Sequence, residues 1–329
     1  MYKNVCVVGV GSYLPKRILT NGELEKMVDT SDEWIVSRTG IRERRIAGSQ
    51  EATSDLAIHA AKKAVAQAKL EAKDIDLIIL ATVTPDTITP AAACLVQKAL
   101  GCGSAVAFDL NAACTGFIYA LSCAKQFLLS GEYKTALVIG AETLSRITDF
   151  SDRNTCVLFG DGAGAVVLQV KNEPQRRGLL ASYLASDGTY ADLLKVPAGG
   201  SRRPASADTV KDKLHYLKMD GNEVFKLAVQ KMIEAALAAL KLSEVNCQEL
   251  DLIIPHQANI RIIEAMAKRL KIPMEKVLLT LQKYGNISAA TTPIALEEAV
   301  LEGKIKKGDL VELVAFGAGL TWGATVIKW

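Results

Sequence analysis

The stretch Asp76–Thr82, D-L-I-I-L-A-T, has a counterpart 175 residues later at Asp251–Gln257, D-L-I-I-P-H-Q. Each copy has the short apolar run of a buried strand, and each follows a segment with the apolar spacing of a helix. The two helices are predicted over residues 54–70 and 223–240. A helix and a strand repeated in this way indicate a duplicated α/β half.

The strands that follow extend the duplication. L-V-I-G-A at 137–141 matches V-A-F-G-A at 314–318, with almost the same separation. G-A-V-V-L at 164–168 and G-A-T-V-I at 323–327 are closer together by about 18 residues, as expected if the first half carries an insertion between its strands. The insertion, near residues 141–156, is hydrophilic, and we expect it to line a site.

Alternating helices and apolar strands predict sheets that are covered by helices. We divide the chain into an N-terminal half, residues 1–172, and a C-terminal half, residues 173–329. Two charged stretches, 29–50 and 198–215, are predicted to be long irregular loops, which in compact folds are usually functional or mobile. Ligand sites in such folds lie at the carboxyl ends of strands.

Composition excludes several classes of protein. The chain has 329 residues, of which 50% are apolar and 23% charged, as in a soluble globular protein. A net charge of +3 is too small to indicate a nucleic-acid-binding protein. No apolar run approaches the roughly 20 residues of a membrane span, and the N-terminus has no signal-peptide pattern, so we expect a cytoplasmic protein. Seven scattered cysteines and three histidines do not support a metal site.

One cysteine has a conspicuous position. In D109-L-N-A-A-C-T-G-F117 a strand over 104–110 gives way to a predicted helix over 114–130 that ends at Gly131. Cys114 then lies at the N-terminus of a largely apolar, buried helix, where unpaired N–H groups and the helix dipole favour a thiolate. A buried free cysteine without function is the alternative for Cys114 taken alone.

The second half favours the functional interpretation. His256 follows an apolar strand, whereas His59 and His215 lie among charged residues. Asn286 lies in a glycine-containing turn before a helix, and by the duplication this turn is the counterpart of the Cys114 turn. We therefore expect Cys114, His256 and Asn286 to meet at corresponding strand ends.

These three side chains suit acyl transfer from a thioester. A cysteine can hold an acyl group covalently, and His and Asn can donate hydrogen bonds to an enolate that forms when a second thioester loses CO₂. The loop F316-G-A-G-L320 could bring a backbone N–H to the acyl carbonyl. Thioester hydrolysis is disfavoured because no carboxylate is evident as a base beside His256, and a scaffold without activity has no use for the three residues.

Seven segments, in order along the whole chain, resemble the β-ketoacyl-acyl-carrier-protein synthase III family: D32-E-W-I-V-S-R-T-G-I-R-E-R, A113-C-T-G-F, F159-G-D-G-A-G-A, M219-D-G-N-E-V-F-K, H256-Q-A-N, G285-N-I-S-A-A-T and F316-G-A-G-L-T-W-G. The resemblance implies a thiolase-like, five-layered αβαβα fold with two pseudo-symmetric halves, in a homodimer. It also implies condensation of an acyl-CoA primer with malonyl-acyl-carrier protein, without a cofactor. A related condensing enzyme of secondary metabolism, with another acceptor, is the nearest alternative.

The resemblance also implies roles for individual residues. Cys114 takes the acyl group, His256 and Asn286 assist decarboxylation, and the backbone N–H groups of Cys114 and Ala318 form the oxyanion hole. The residues implied to bind CoA are Trp34, Arg38, Thr39, Arg153, Gly221 and Asn259, with Trp34 and Arg153 on the two sides of the adenine. Phe316 and, from the partner subunit's loop, the residue at position 89 are implied to border the acyl pocket.

Four further expectations follow from this chain's own residues. The family often has three glycines after the phenylalanine, whereas this chain has G317-A-G, so Ala318 should have an ordinary φ. Thr89 stands where the family often has a bulky aromatic residue, which predicts a roomier acyl pocket. Arg261, Lys268 and Arg269 follow His256 on one predicted helix; they are either a docking surface for acyl carrier protein or an ordinary solvated face. F159-G-D-G-A-G-A is expected to be a tight hairpin between strands.

Overall fold

The computed structural model describes all residues, 1–329. Its strands are β1 (Tyr2–Tyr13), β2 (Arg17–Thr20), β3 (Glu43–Ile46), β4 (Leu77–Ala81), β5 (Val106–Leu110), β6 (Thr135–Thr143), β7 (Asp161–Glu173), β8 (Gly178–Ser186), β9 (Leu194–Lys195), β10 (Lys218–Met219), β11 (Leu252–Pro255), β12 (Leu310–Gly317) and β13 (Thr321–Lys328). Its helices are α1 (Asn21–Leu24), α2 (Asp32–Thr39), α3 (Thr53–Gln67), α4 (Ala92–Leu100), α5 (Gly116–Ser130), α6 (Ala207–Lys211), α7 (Gly221–Ser243), α8 (Ile260–Leu270), α9 (Leu281–Tyr284) and α10 (Thr291–Leu301).

Two mixed sheets form the frame of the molecule. The first has the order β1-β7-β6-β4-β5, and the second has the order β11-β12-β13-β8. Helices α5 and α10 pack between the sheets, α3 and α4 cover the outer face of the first sheet, and α7 and α8 cover the second. The five-layered αβαβα fold is therefore confirmed.

The strands of each sheet come from one part of the chain. Those of the first sheet lie within residues 2–173, and those of the second lie within residues 178–328. The last two strands of the first half and of the second half are paired antiparallel, β6 with β7 and β12 with β13, as expected for related units.

Two corresponding glycines let the halves interlock. A Cβ on Gly140 would lie 2.5 Å from the carbonyl oxygen of Ala289, and a Cβ on Gly317 would lie 2.7 Å from the backbone nitrogen of Cys114. Contacts this short are impossible for any residue with a side chain. Each glycine therefore lets a strand of its own half touch the turn that precedes the central helix of the other half.

Several local predictions are wrong in detail. The stretch 29–50 contains α2 and β3 because Ser31 caps α2 through the Trp34 N–H and Gly40 ends it at φ 81°. Similarly, residues 198–215 contain the short helix α6. The segment at 159–165 is not a hairpin: it runs into β7, and its glycines allow close contacts, Gly160 with Tyr284 and Gly164 with Pro293 and Ile294 of α10. No helix of the structure has both the length and the apolar character that a membrane crossing requires.

Candidate active site

One large cavity, of about 560 Å³, lies where the two halves meet. Of the 31 residues that line it, 21 are hydrophobic. Cys114, His256 and Asn286 all border this cavity, so the structure brings the three predicted side chains to one chamber. A mostly apolar chamber with a few convergent polar groups is typical of a binding site for a small molecule.

Cys114 lies in a 3-10 turn, Ala113–Thr115, between β5 and α5. The turn is tight: Ala113 has φ 47°, a left-handed conformation that is unusual for a residue with a side chain. The Asn111 side chain supports the turn by accepting a hydrogen bond of 3.2 Å from the Ala113 N–H. The helix proper begins at Gly116, two residues after the position expected from the sequence.

The expected thiolate at Cys114 is not the resting form. Burial raises the pKa of the thiol to about 12, and the Glu142 carboxyl adds to the rise while the Ser288 hydroxyl opposes it. Desolvation of the charged sulfur therefore outweighs the favourable helix terminus. At neutral pH Cys114 is a thiol, and its proton must leave when the sulfur attacks.

His256 is fixed at the end of β11. Its backbone N–H donates to the Val314 carbonyl at 2.8 Å, and its ring Nδ1 lies 2.7 Å from Thr291 Oγ1 on α10. The ring is only 4% exposed, and burial lowers the pKa of the imidazole to about 3. His256 is therefore neutral at physiological pH, and Nε2 is the nitrogen left for the cavity.

Asn286 is oriented by its own turn. Its backbone N–H donates to Leu158 O at 2.9 Å, and its carbonyl accepts from the Gly160 N–H at 3.0 Å. The side-chain Oδ1 accepts from the Ser288 N–H at 2.8 Å. Because Oδ1 is engaged in this way, the amide nitrogen Nδ2 remains as the group that can donate to a ligand.

The loop after β12 lies directly against the cysteine. Gly317 contacts the backbone of Cys114 and Thr115, and Ala318 borders the cavity. Ala318 is not among the residues with positive φ, as its side chain requires, whereas Gly319 has φ 136°. Because Gly317 packs against Cys114 and Ala318 follows it in the cavity wall, this loop lies next to the Cys114 turn.

The residues implied to bind CoA occupy two places. Gly221 and Asn259 border the cavity, at the N-termini of α7 and α8. Trp34 stacks against Arg153, whose guanidinium carbon lies 4.5 Å from the ring centroid, and Arg38 lies at 5.1 Å. The Trp34–Arg153 contact leaves no room for a base between the two side chains, so they must separate if a base is to bind there.

Thr39 has a structural role. It is 4% exposed, and its hydroxyl donates to Ile35 O at 2.7 Å and accepts from the Ile41 N–H at 3.0 Å. The hydroxyl therefore helps to end α2 and is already saturated.

The remaining predicted residues lie at the edges of the site. Phe316 borders the cavity, whereas Thr89 lies in an exposed loop and does not reach the cavity of its own chain. Arg261, Lys268 and Arg269 are all exposed on α8, and Arg261 stacks at 5.6 Å over Phe225, which also lines the cavity.

Sequence reasoning missed three polar residues of the site: Glu142 and Ser288, near the cysteine, and Thr291, which contacts His256. Glu142 is completely buried, although a carboxyl at that depth is unusual. The available signal was a single acidic residue at the end of the apolar run T135-A-L-V-I-G-A-E142. The structure has no group of three or more His, Cys, Asp or Glu side chains that could hold a metal ion.

Comparisons with known proteins agree along the whole chain. Residues 108–188 match the family 3-oxoacyl-[acyl-carrier-protein] synthase III, and residues 230–329 match the C-terminal family of the same enzyme. The β-ketoacyl-[acyl-carrier-protein] synthase III of Clostridioides difficile is 57% identical, with 98% of each chain covered.

Solved structures give the same result. The 3-oxoacyl-[acyl-carrier-protein] synthase III of Aquifex aeolicus is 49% identical, with a TM-score of 0.92 over 99% of this chain and 100% of that one. The priming β-ketosynthase of the R1128 polyketide pathway is 35% identical, with a TM-score of 0.91 over 99% of this chain and 96% of that one. Given this agreement in sequence and fold, the chain belongs to the β-ketoacyl-[acyl-carrier-protein] synthase III family.

Proposed function

We propose that the protein condenses an acyl-CoA primer with malonyl-acyl-carrier protein, releasing CO₂ and CoA, and so starts fatty-acid synthesis. The observation that carries the proposal is the convergence of Cys114, His256 and Asn286 on one apolar cavity in a member of this family. Two thioesters supply all the atoms of the product, and the reaction needs no cofactor or metal.

The first half-reaction transfers the acyl group to Cys114. The sulfur attacks the thioester carbonyl, its proton leaves, and the C–S bond to CoA breaks. The backbone N–H groups of Cys114 and Ala318 stabilise the oxyanion of the tetrahedral intermediate. Gly317 makes this arrangement possible because only a glycine lets β12 come so close to the Cys114 turn.

The second half-reaction needs two donors at the malonyl carbonyl. Loss of CO₂ leaves an enolate, whose oxygen accepts from Asn286 Nδ2 and His256 Nε2–H. The resulting carbon nucleophile attacks the acyl group on Cys114, and the cysteine sulfur leaves. This step needs Nε2 to carry the proton, so the Thr291 hydroxyl must donate to Nδ1, at 2.7 Å, in place of the Ser288 carbonyl that it reaches at 3.0 Å.

Substrates reach the sulfur along the open side of the cavity. We assign Trp34, Arg38 and Arg153 to the adenine end of CoA, and Gly221 and Asn259 to the pantetheine arm. Thr39 supports this surface from within by ending α2. Phe316 borders the acyl group, and the exposed face of α8 with Arg261, Lys268 and Arg269 is assigned to the acidic carrier protein.

We further propose a cytoplasmic homodimer. Strand β5 is one of the two edge strands of the first sheet, and apolar side chains on it and beside it are partly exposed, with Val106 at 41% and Phe127 at 37%. A second copy on this edge would cover them and bring its Thr89 loop near the cavity. The small Thr89 side chain would then admit branched or longer primers, so use of acetyl-CoA alone in a primer panel would contradict the proposed roomier pocket.

The two halves of each subunit, 1–172 and 173–329, are proposed as its structural units.

Radiolabelled acyl-CoA tests the reaction. We expect the enzyme to be acylated, the label to be lost in Cys114→Ser, and malonyl-carrier but not water to discharge it. Discharge by water would indicate a thioesterase. Condensation only with the carrier protein of a secondary pathway would favour the alternative that the R1128 ketosynthase represents.

A further inference from the structure

A buried carboxyl lies behind the cysteine. Glu142, the second last residue of β6, is 0% exposed and faces the layer between the sheets. It accepts hydrogen bonds from Thr84 Oγ1 at 2.7 Å, from Thr82 Oγ1 at 3.1 Å and from the Val83 N–H at 3.0 Å. These donors, all from the loop after β4, hold the carboxyl in one place.

Ser288 lies in the turn that packs both against the Cys114 turn and against β6, the strand that carries this carboxyl. Burial raises the pKa values of both Cys114 and Glu142, and Ser288 is close enough to oppose the rise in each case. Ser288 is 3% exposed, borders the cavity, and its Oγ has no hydrogen-bond partner at rest. A buried hydroxyl without a hydrogen-bond partner lowers the stability of the fold. This cost favours a functional role for Ser288, which lies near two groups that can carry a proton.

The backbone holds Ser288 in a conformation that is unfavourable for a residue with a side chain. Its φ is 45°, in the left-handed region where a residue with a side chain is strained. The turn is fixed from one side by the contact of Ala289 with Gly140 and from the other by the bond from the Ser288 N–H to Asn286. The hydroxyl is therefore directed by the fold and not by its own hydrogen bonds.

The groups around Cys114 differ in their ability to accept its proton. Burial lowers the pKa of His256 to about 3, so its imidazole is a weak base at neutral pH. Burial raises the pKa of Glu142 to about 7, which leaves a substantial ionised fraction at neutral pH and a much stronger base. The other groups that face Glu142 are Thr hydroxyls and a backbone N–H; Asp161 on β7 pairs with Thr143 and so faces the opposite side of the sheet.

We propose that Glu142, acting through the Ser288 hydroxyl, accepts the Cys114 proton during acyl transfer. As Sγ bonds to the thioester carbon, its proton moves to Ser288 Oγ, and the Ser288 proton moves to the Glu142 carboxylate. When the C–S bond to CoA breaks, the same path returns the proton to the departing thiolate. Glu142 is then ionised again, and neither Ser288 nor Glu142 forms a bond to the substrate. This step rests on the acyl transfer proposed above.

Alkylation of Cys114 by iodoacetamide tests the relay without any acyl substrate. The rate is measured from pH 5.5 to 9.5, with mass spectrometry to identify the Cys114 peptide among the seven cysteines. For the wild type we expect the rate to rise through an inflection near pH 7. Glu142→Gln and Ser288→Ala should lose the inflection and react at least tenfold more slowly at pH 7.5, and Glu142→Asp should regain part of it.

Controls separate the relay from loss of structure. Thr292→Val removes another buried hydroxyl without a partner, four residues after Ser288, and should keep the wild-type profile. Circular dichroism checks that each variant is folded, and Ser288→Ala decides the question if Glu142→Gln does not fold. An unchanged profile in the folded variants would overturn the proposal. Faster alkylation of Glu142→Gln would also overturn it, since Glu142 would then act only by repelling the thiolate.

The two proposals can fail separately. An enzyme with the pH-dependent alkylation but without condensation activity would contradict the proposed function and leave the relay intact. Conversely, condensation by an enzyme whose alkylation profile does not depend on Glu142 would contradict the relay alone.

Discussion

The Cys114 turn and the Asn286 turn have the same backbone and different chemistry. Each begins with an asparagine whose Oδ1 accepts from the N–H two residues later, Asn111 from Ala113 and Asn286 from Ser288. The residue after next is left-handed in both, with φ 47° at Ala113 and 45° at Ser288. A 3-10 turn and a central helix follow in each half.

The difference lies in which side chains face the shared cavity. The first turn supplies the sulfur, while the residue that corresponds to Cys114 in the second turn is Ala289, which is buried against Gly140. The second turn instead supplies the Asn286 amide and the Ser288 hydroxyl. The same strained turn thus occurs once in each half. In the first half it presents a nucleophile to the cavity, and in the second half it presents hydrogen-bonding groups.

The largest loss of kcat is expected on substitution of Asn286, and the corresponding asparagine of the first turn, Asn111, serves as the comparison. Asn286→Ala removes a proposed donor to the enolate and should lower kcat for condensation by about 10²–10³-fold. Asn111→Ala removes only the bond that supports the turn, at about 1 kcal/mol of folding free energy, and should lower kcat less than about fivefold. Steady-state kinetics and thermal unfolding of both variants measure this; equal losses of kcat would contradict the division of roles.

Substitution of the two interlocking glycines, Gly317 and Gly140, should affect different properties of the enzyme. In Gly317→Ala the new Cβ would lie 2.7 Å from the Cys114 nitrogen, so the cysteine backbone must shift, and the rate of enzyme acylation should fall about 100-fold. In Gly140→Ala the clash is with Ala289 and Ala290, on the other turn, and we expect mainly loss of stability. Single-turnover acylation with labelled acyl-CoA distinguishes the two, and an unaffected rate in Gly317→Ala would show that the turn can adapt.

Substitution of Thr291, on α10, tests whether its hydroxyl determines which nitrogen of the His256 imidazole carries the proton. Thr291→Val removes the hydroxyl beside His256 Nδ1, and without that donor the proton can move from Nε2 to Nδ1. Condensation should slow about tenfold, while Cys114 acylation should change little. Thr291→Ser keeps the hydroxyl and serves as the matched control; a normal condensation rate in Thr291→Val would mean that the hydroxyl does not select the tautomer.

The smallest effect concerns a carboxyl in the second half. Glu312 on β12 is buried like Glu142, but neither of its oxygens has a hydrogen-bond partner, and burial raises its pKa well above the usual 4.5. Above about pH 4.5 the unfolded carboxyl ionises while the folded one stays protonated, so the wild type loses folding free energy as pH rises, by up to about 1.4 kcal/mol per pH unit.

Glu312→Gln cannot ionise in either state and should lack this loss. The difference in unfolding free energy between Glu312→Gln and the wild type should therefore grow in favour of the variant from pH 4.5 upward. Denaturant unfolding at several pH values measures it. A difference that is the same at every pH would contradict a raised pKa at Glu312.

Much of the fold followed from periodicity. The repeat of D-L-I-I at Asp76 and Asp251 identified the duplication, because buried strands need continuous apolar runs whatever surrounds them. Ser31 and Gly40 carry capping signals that mark both ends of α2, inside a stretch predicted to be an irregular loop. The glycines of residues 159–165 were misinterpreted because a glycine needed for close packing has the same sequence pattern as one needed for a turn.

The sequence by itself indicated the two-half architecture and Cys114, His256 and Asn286 as residues of one site, since these depend on patterns local to one strand or turn. Only the tertiary structure decided the ionisation of these groups. Cys114 remains a thiol and His256 remains neutral because mostly apolar residues that are distant in the chain surround them and disfavour their charged forms. The placement of Glu142 and Ser288 beside the sulfur was likewise beyond the sequence, because it depends on Gly140 and Gly317 bringing each half into contact with the other.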